Sequence, residues 1–321
     1  MPVRLPGIML GLISPEMMTA MSDLVADNTQ AAPGAAGEAR LAVQLWPAGP
    51  ANAQPGQNSD SVPLLDLAHS PDPHKTIQLK DHPKIAQVLR HVQDSTVEII
   101  CDVPNGKNVP GSTLVEPGSG FFVTPEGKVH TANHVVSLLK ILDGKFFVKT
   151  ADGELFPAQV TKSDPITDQA ELTVRSTDAS RKFPTVEFAD ESAIKAAEET
   201  KEKPNVLGLG YPLDWDRLTA SPGTFAKVTT LRHWLESRYK GEALQAVLKE
   251  VAQHHENADR TVYKVNINGQ HGDSGGGVFF DNAKLIGGMN SSDCPFDMSK
   301  VKACSTILTP AAEIKRFHGL K

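Results

Sequence analysis

The chain has 321 residues, a formal net charge of −6, 40% hydrophobic residues and 22% charged residues. This length allows one large domain or two of medium size, and the composition is that of a globular protein. It contains no dense cluster of Lys and Arg, and no apolar run approaches the roughly 20 residues of a membrane-spanning helix. Nucleic-acid binding and an integral membrane segment are therefore not expected.

The beginning of the chain does not have the composition of a folded core. Residues 1–12 carry one Arg and a short apolar stretch that weakly resembles a secretory signal, although prolines interrupt it. Residues 23–73 are rich in Ala, Pro, Gly, Asn and Ser, which favours a linker or disordered arm. We expect residues 1–94 to be a low-complexity signal or pro-segment. A periplasmic or secreted location is favoured over a cytoplasmic one.

A short helix is predicted near the end of this arm. Asp81 can cap it, and Pro83 suits its first turn. Apolar residues then recur at helical spacing, namely Ile85, Val88, Leu89 and Val92.

From residue 95 the chain changes to short β-rich segments separated by turn signals such as Pro125-Glu126-Gly127 and Asp152-Gly153. The first run of predicted strands comprises 97–103, 120–123, 129–132, 146–150, 158–161 and 172–174. The second comprises 206–210, 225–229, 261–267, 278–280, 285–289 and 305–308. The charged segment 190–203 separates the runs, which predicts two small barrels or sandwiches at about 95–190 and about 204–321.

Two helical segments are predicted within the second run of strands. One spans about 231–257, where Gly241 divides it into two helices and Leu244, Val247, Leu248 and Val251 form one apolar stripe. It is either a surface insertion packed on the second barrel or a lid near the active site. The other follows Thr309 as cap and Pro310 as first helical residue, and continues through about Phe317.

Three segments supply the parts of a serine nucleophile system. Ser274 lies among glycines in HGDSGGG, His134 lies in TANHVV, and Asp168 ends DPITD. A serine hydroxyl needs a nearby base, and that base needs an orienting carboxylate. We predict Ser274 as the nucleophile and His134 as the base. Asp168 is predicted as the orienting carboxylate, with Asp164 as the alternative.

The glycines around the nucleophile also favour an oxyanion hole. A tetrahedral intermediate needs backbone N–H donors that no side chain obstructs. A tight turn at this point can aim the N–H groups of Gly272 and Ser274 into one pocket.

These motifs resemble those of the chymotrypsin-like (trypsin-fold) serine peptidases, especially bacterial ones, from about Ser95 onward. The matching segments are 118–123, 131–136, 168–172, 208–212, 221–223 and 272–276. The resemblance selects Asp168 over Asp164 through an Asp-x-Ala-x-Leu pattern. It implies an all-β fold of two six-stranded antiparallel β-barrels with the triad in the cleft between them. It also implies hydrolysis of protein or peptide substrates through an acyl-enzyme, without a cofactor or metal.

The resemblance further implies a location for the substrate pocket. Its floor falls near Asn268, six residues before Ser274, where an Asp would indicate Arg or Lys preference. The implied walls are Asn290, Ser291, Ser292 and Ala303. A neutral pocket predicts uncharged residues at the P1 position of the substrate.

Two departures from the family leave questions open. In trypsin-like zymogens the residue before the nucleophile, here Asp273, pairs with a newly formed N-terminus, and no Ile-Val-Gly-Gly-like terminus is found here. The partner of Asp273 is therefore undetermined. Cys294 and Cys304 either form a disulfide or are buried small hydrophobic residues like Cys101.

Two other functions can be weighed against a serine endopeptidase. The Gly-x-Ser-x-Gly pattern also occurs in α/β-hydrolases, but that fold needs a helix directly after the serine. Here Val278-Phe279-Phe280 and a turn predict a hairpin instead. A protease-fold binding or regulatory module is the second alternative, although such modules usually lack a triad member and none is lacking here.

Overall fold

The computed structural model describes residues 61–63, 76–78, 82–104, 112–212, 217–292 and 304–321. A two-stranded antiparallel ladder, β1 (Ser61–Pro63) and β2 (Thr76–Gln78), comes first. Most of the remaining described residues form two closed antiparallel barrels with helices around them. The predicted all-β double-barrel class is confirmed, and the hairpin after Ser274 excludes the α/β-hydrolase fold.

The first barrel closes in the order β3-β4-β5-β8-β7-β6. Its strands are β3 (Thr96–Pro104), β4 (Ser112–Phe122), β5 (Lys128–Thr131), β6 (Lys145–Lys149), β7 (Leu155–Asp164) and β8 (Gln169–Val174). Alternate residues of β3, Val97, Ile99 and Cys101, are buried in the barrel core, as the two-residue period of a strand requires. The predicted turns contain Gly127 and Gly153 at φ values of 96° and 85°, which favour glycine.

Strand β4 begins at Ser112, eight residues before the predicted start at Gly120. Pro117 and Gly118 interrupt the apolar pattern there, so the sequence does not indicate a strand. Pairing with β3 continues because the register shifts between Ile99 and Cys101, where a bulge absorbs the irregular residues.

The second barrel has the order β13-β10-β11-β12-β15-β14, and pairing of β13 with β14 closes it. Its strands are β10 (Asn205–Gly210), β11 (Thr219–Thr230), β12 (Thr261–Asn266), β13 (Gly277–Phe280), β14 (Lys284–Ser292) and β15 (Thr306–Pro310). A two-residue strand, β9 (Glu187–Phe188), adds in parallel to β14. The core includes Phe225, Val265 and Val278, all fully buried.

The helices lie outside the barrels. They are α1 (Pro83–Val92), followed by a 3₁₀ turn (Gln93–Ser95), α2 (Asn133–Ile141), α3 (Glu191–Glu199), α4 (Leu231–Arg238), α5 (Gly241–Gln253) and α6 (Ala311–His318). Helix α1 packs with Phe121 of the first barrel, Leu209 of the second and Ile314 of α6 in one apolar cluster. This cluster joins the two barrels. Among the described helices, none is both long and apolar enough to cross a membrane.

The helix starts differ in part from the predictions. His82 occupies the N-cap of α1, with Pro83 at its first position, and Asp81 lies outside the described residues. Pro310 is the N-cap of α6 rather than its first helical residue. The reason is that Thr309 and Pro310 still pair with β14 as part of β15. Helix α2 was not predicted, because its apolar residues continue directly from a strand.

The helical insertion is confirmed as two helices divided at Gly241. Its core packs on the second barrel through a cluster that contains Leu231, Trp234, Leu235, Val251, Val262 and Ile307. The predicted domain limits, and the role of the 1–94 arm, stay predictions.

Candidate active site

His134 and Asp168 meet at the edge of the first barrel. His134 is the second residue of α2, and Asp168 occupies the turn between β7 and β8 at a φ of 54°. The Asp168 carboxylate accepts a hydrogen bond from the His134 backbone N–H at 2.9 Å and another from its Nδ1 at 2.9 Å. Asp164 instead accepts from the Ile166 N–H at 2.9 Å and the Thr167 hydroxyl at 2.6 Å. It shapes the turn and does not contact His134.

Asn290 supplies a third donor to the same carboxylate. Its side-chain amide donates to Oδ2 of Asp168, and both residues are buried. The resemblance implied a pocket wall for Asn290, whereas the structure directs its side-chain amide to Asp168. The sequence holds no signal for this contact because the two residues are separated by 122 positions.

These contacts set the charges of the His134–Asp168 pair. Burial by itself raises the pKa of Asp168, but the charge and hydrogen bond of His134 outweigh it and hold that pKa below its ordinary value. Burial lowers the pKa of His134, and Asp168 more than reverses this, with a contribution from Glu256. At neutral pH Asp168 is therefore ionised and accepts the Nδ1 proton. The tautomer that this fixes leaves Nε2 of His134 able to accept a proton.

The loop that contains Ser274 is fastened to the first barrel by Ser119 of β4. The Ser119 hydroxyl donates to the Gly272 carbonyl at 2.6 Å, and its backbone N–H donates to the Ser274 carbonyl at 2.8 Å. The same hydroxyl accepts from the Tyr211 N–H at 2.8 Å. In the sequence, Ser119 resembles the family only through its Gly-Ser-Gly context, which indicates no role for its hydroxyl.

Close packing explains the glycine after the candidate nucleophile. Gly275 has a φ of 85°, and a Cβ there would collide with the Ser119 carbonyl and the Thr131 hydroxyl. Thr131 ends the strand that leads to His134. The loop therefore places Ser274 beside the end of β5, the strand that leads into the helix with His134.

Two backbone donors of this loop are unpaired among the residues that the structure describes. Among the described residues, no hydrogen bond engages the N–H of Gly272 or Ser274, and none joins the Ser274 hydroxyl to His134. Gly272 has a φ of 93°, a conformation that favours glycine. The two N–H groups are available to an external acceptor. Hydrogen bonds between a nucleophile and its base often form only when substrate is bound.

Asp273, between these donors, is a buried carboxyl group. Its Oδ2 accepts from the Gln270 N–H at 2.9 Å, and its own N–H donates to the Gln270 carbonyl at 3.1 Å. Its Oδ1 has no hydrogen-bond partner among the described residues. Burial raises the pKa of Asp273 to about 7, and the hydrogen bond from the Gln270 backbone offsets only part of the lost hydration.

The residues expected to form the substrate pocket are described in part. Asn268 is buried, and its backbone carbonyl accepts from the Ser221 hydroxyl at 3.2 Å. Its amide oxygen lies 3.4 Å from the sulfur of Cys304, which is disulfide-bonded. Ala303 and Cys294 lie outside the described residues.

The two predicted serines of the pocket follow Asn290 along β14. Ser291 is buried, and its hydroxyl has no partner among the described residues. Ser292 is half-buried and approaches Gly269, which directly follows Asn268. The structure thus brings Asn268, Ser292 and Cys304 close to one another.

The described residues offer no metal site. Within that part of the chain, no group of three or more His, Cys, Asp or Glu side chains is arranged to hold a metal ion.

Comparisons with known proteins support the peptidase resemblance. A family model described as "Trypsin-like peptidase domain" matches residues 118–287, more than half of the chain. Two curated relatives are each named "Probable periplasmic serine endoprotease DegP-like". The one from Bartonella henselae is 35% identical over 113 residues, which is 34% of this chain and 21% of the relative. The one from Rhizobium meliloti is 40% identical over 94 residues, 29% and 17% of the two chains.

These alignments span only about a fifth of the length of the curated relatives. Among solved structures, "HtrA-type protease AlgW with decapeptide" is 17% identical at a TM-score of 0.49. That alignment covers 72% of this chain and 66% of the other.

Proposed function

Because this chain belongs to the trypsin-like peptidase domain family, we propose that it is a serine endopeptidase with Ser274, His134 and Asp168 as its catalytic triad. The observation that carries the proposal is the pair of hydrogen bonds from His134 to Asp168, beside the loop that presents Ser274. A carboxylate that binds both the backbone and the ring of one histidine fixes the position of that ring.

In the proposed acylation step, the Ser274 hydroxyl attacks the scissile carbonyl carbon while Nε2 of His134 takes its proton. Ionised Asp168 stabilises the imidazolium that forms. The Gly272 and Ser274 N–H groups donate to the oxyanion of the tetrahedral intermediate. When the C–N bond breaks, His134 returns the proton to the leaving amine.

Deacylation repeats this sequence with water. His134 takes a proton from the water as its oxygen attacks the acyl carbon, and the same two N–H groups stabilise the second oxyanion. Breakage of the ester bond then releases the acid and returns the proton to Ser274. Losing one donor from such an oxyanion hole typically costs roughly 3–4 kcal/mol of transition-state stabilisation.

A fluorophosphonate probe tests this proposal directly, because it reacts with an activated serine. We expect the wild-type protein to be labelled and Ser274→Ala to remain unlabelled while keeping its circular dichroism spectrum. Labelling that persists in the variant would assign the nucleophile elsewhere. A folded wild-type protein that never reacts would instead favour the protease-fold binding or regulatory module.

We further propose that the substrate pocket accepts uncharged P1 residues. This is supported by Asn268, which the resemblance implies as the pocket floor and which is buried and uncharged, with Ser292 close to the adjacent Gly269. Digestion of a peptide library followed by mass spectrometry tests this. Cleavage predominantly after Arg or Lys would contradict it.

A periplasmic location is the third part of the proposal. Two observations support it: the curated relatives are named as periplasmic, and Cys304 is disulfide-bonded, which is typical of oxidising compartments. Fractionation of bacterial cells that express the full chain tests it. Recovery of the protein only from the cytoplasm would overturn it.

A further inference from the structure

The end of the helical insertion contacts the turn that carries Asp168. The backbone N–H of Asn257, just after α5, donates to the Ile166 carbonyl at 2.9 Å. This hydrogen bond joins the second barrel's insertion to the first barrel two residues before Asp168. The core of the insertion packs on the second barrel, whereas its C-terminal end reaches the turn that carries Asp168.

A buried ion pair flanks this contact. The Arg260 Nε donates to Oε1 of Glu256 at 3.0 Å, and a second bond runs from its Nη2 to the same oxygen. The two side chains are only 5% and 7% exposed. The Nη1 atom of Arg260 has no partner among the described residues. Burial removes hydration from both charges, and their direct pairing offsets part of that loss.

Both charges act on the dyad formed by Asp168 and His134. Glu256 raises the pKa of His134, and Arg260 lowers it. Arg260 also helps to keep Asp168 ionised. His254, the other titratable group that faces Asp168 from this segment, has its pKa lowered, chiefly by burial. Burial raises the pKa of Glu256 itself, Arg260 lowers it and Asp168 adds to the rise. Glu256 and Arg260 therefore act on the pKa of His134 in opposite directions.

We propose that Glu256 and Arg260 are positioning residues whose opposed charges let the end of the insertion pack against the turn of Asp168 without imposing a net charge on the Asp168–His134 dyad. The inference rests on the proposed function, because only that function makes Asp168 and His134 catalytic residues. The contacts themselves do not depend on it. The hydrogen bond from Asn257 to the Ile166 carbonyl holds this end of the insertion against the turn of Asp168. The opposed charges of the adjacent ion pair leave His134 able to accept a proton.

Charge removal followed by direct titration of His134 tests this proposal. The nitrogen-15 NMR signals of the His134 ring are followed against pH in a Ser274→Ala background, which needs no activity. We expect Glu256→Gln to lower the His134 titration midpoint by about half a unit to one unit, because Arg260 is left uncompensated. Arg260→Met should move the midpoint upward, and the double variant should return it to near the Ser274→Ala value.

The matched control is Asp259→Asn, which removes a carboxylate from the same turn at an exposed ion pair with Arg232. It should leave the midpoint unchanged. Midpoints that stay at the Ser274→Ala value in both single variants would overturn the proposal, as would a double variant that keeps the full shift. If Glu256→Gln fails to fold, Arg260→Met alone decides the matter in the same way.

Kinetics separate this inference from the proposed function. In the Ser274-containing protein, we expect Glu256→Gln to reduce kcat by at most about three- to tenfold, because kcat cannot fall by more than the basicity of His134 does. The variant should also move the acid limb of kcat/KM to lower pH and leave KM within about twofold. A wild-type protein that does not react with fluorophosphonate would refute the peptidase proposal. The NMR shifts would still test the effect of the charged pair on the dyad.

Discussion

His130 and His318 meet inside the protein, with Nδ1 of His130 lying 3.1 Å from Nε2 of His318. The Nδ1 atom of His318 lies 2.8 Å from Glu171, which also accepts from Lys128 at 3.3 Å. This chain of contacts fastens α6 to strands β5 and β8 of the first barrel. It is separate from the candidate triad.

The first prediction is that this histidine pair makes stability depend on pH. Burial lowers the pKa of His130 well below its ordinary value, with help from His318. The unfolded chain therefore binds more protons than the folded chain below about pH 6.5. As the pH decreases in this range, His130 lowers the free energy of unfolding by about 1.4 kcal/mol per pH unit. His130→Phe should remove this slope because a phenyl ring does not titrate. The variant should fold, because the rings of Phe121 and Phe317 already surround this position.

Urea unfolding between pH 5.5 and 7.5 measures this effect as the difference between variant and wild type. The control is His233→Phe, since His233 is exposed and should leave the slope unchanged. Equal slopes for His130→Phe and wild type would show that His130 is not held neutral by burial.

The second prediction concerns Asp273, whose pKa of about 7 in the folded protein lies above that of the unfolded chain. Its stabilising contribution is complete below about pH 4 and is lost as pH rises to about 7. Relative to wild type, Asp273→Asn should gain about 1.4 kcal/mol of unfolding free energy per pH unit across that window and level off above it. Chemical unfolding at pH 5, 6, 7 and 8 checks this, and a constant difference would contradict the burial of an uncompensated carboxyl group.

The third prediction is that Asn290 supports the reaction through Asp168. Hydrogen bonds to charged groups contribute about 1.5–3 kcal/mol, so we expect Asn290→Ala to reduce kcat/KM by roughly tenfold or more. Ser291→Ala, one position away, removes a hydroxyl that has no partner among the described residues and should change kcat/KM less than twofold. If both variants lose activity equally, the effect belongs to the pocket rather than to Asp168.

The fourth prediction is that Ser119 holds the loop that contains Gly272 and Ser274 in place. Ser119→Ala leaves the Gly272 carbonyl and the Tyr211 N–H without their shared partner, which costs about 1–3 kcal/mol for each buried group. We expect kcat to fall by roughly 10- to 100-fold with little change in KM, since the donors act on the transition state. Ser163→Ala, at an exposed position on β7, is the control, and a KM effect without a kcat effect would refute the assignment.

Much of the architecture was predictable because it depends on local patterns. Alternating apolar residues identified strands of both barrels, and glycines identified the turns at Gly127 and Gly153. Helix α2 was missed, since an apolar run such as VVSLL fits a strand as well as a helix. The early part of β4 was missed because Pro117 and Gly118 resemble a loop.

The sequence by itself determined the double-barrel class, the helical insertion and the candidate residues His134, Asp168 and Ser274, since their motifs are short and contiguous. Only the tertiary structure decided that Asn290 contacts Asp168, that Ser119 holds the Ser274 loop, and that the end of the insertion contacts the turn of Asp168. These contacts join residues that are distant in the chain or belong to different barrels. Periodicity fixes which side of a strand a residue occupies, but its partner depends on how the closed barrels pack together.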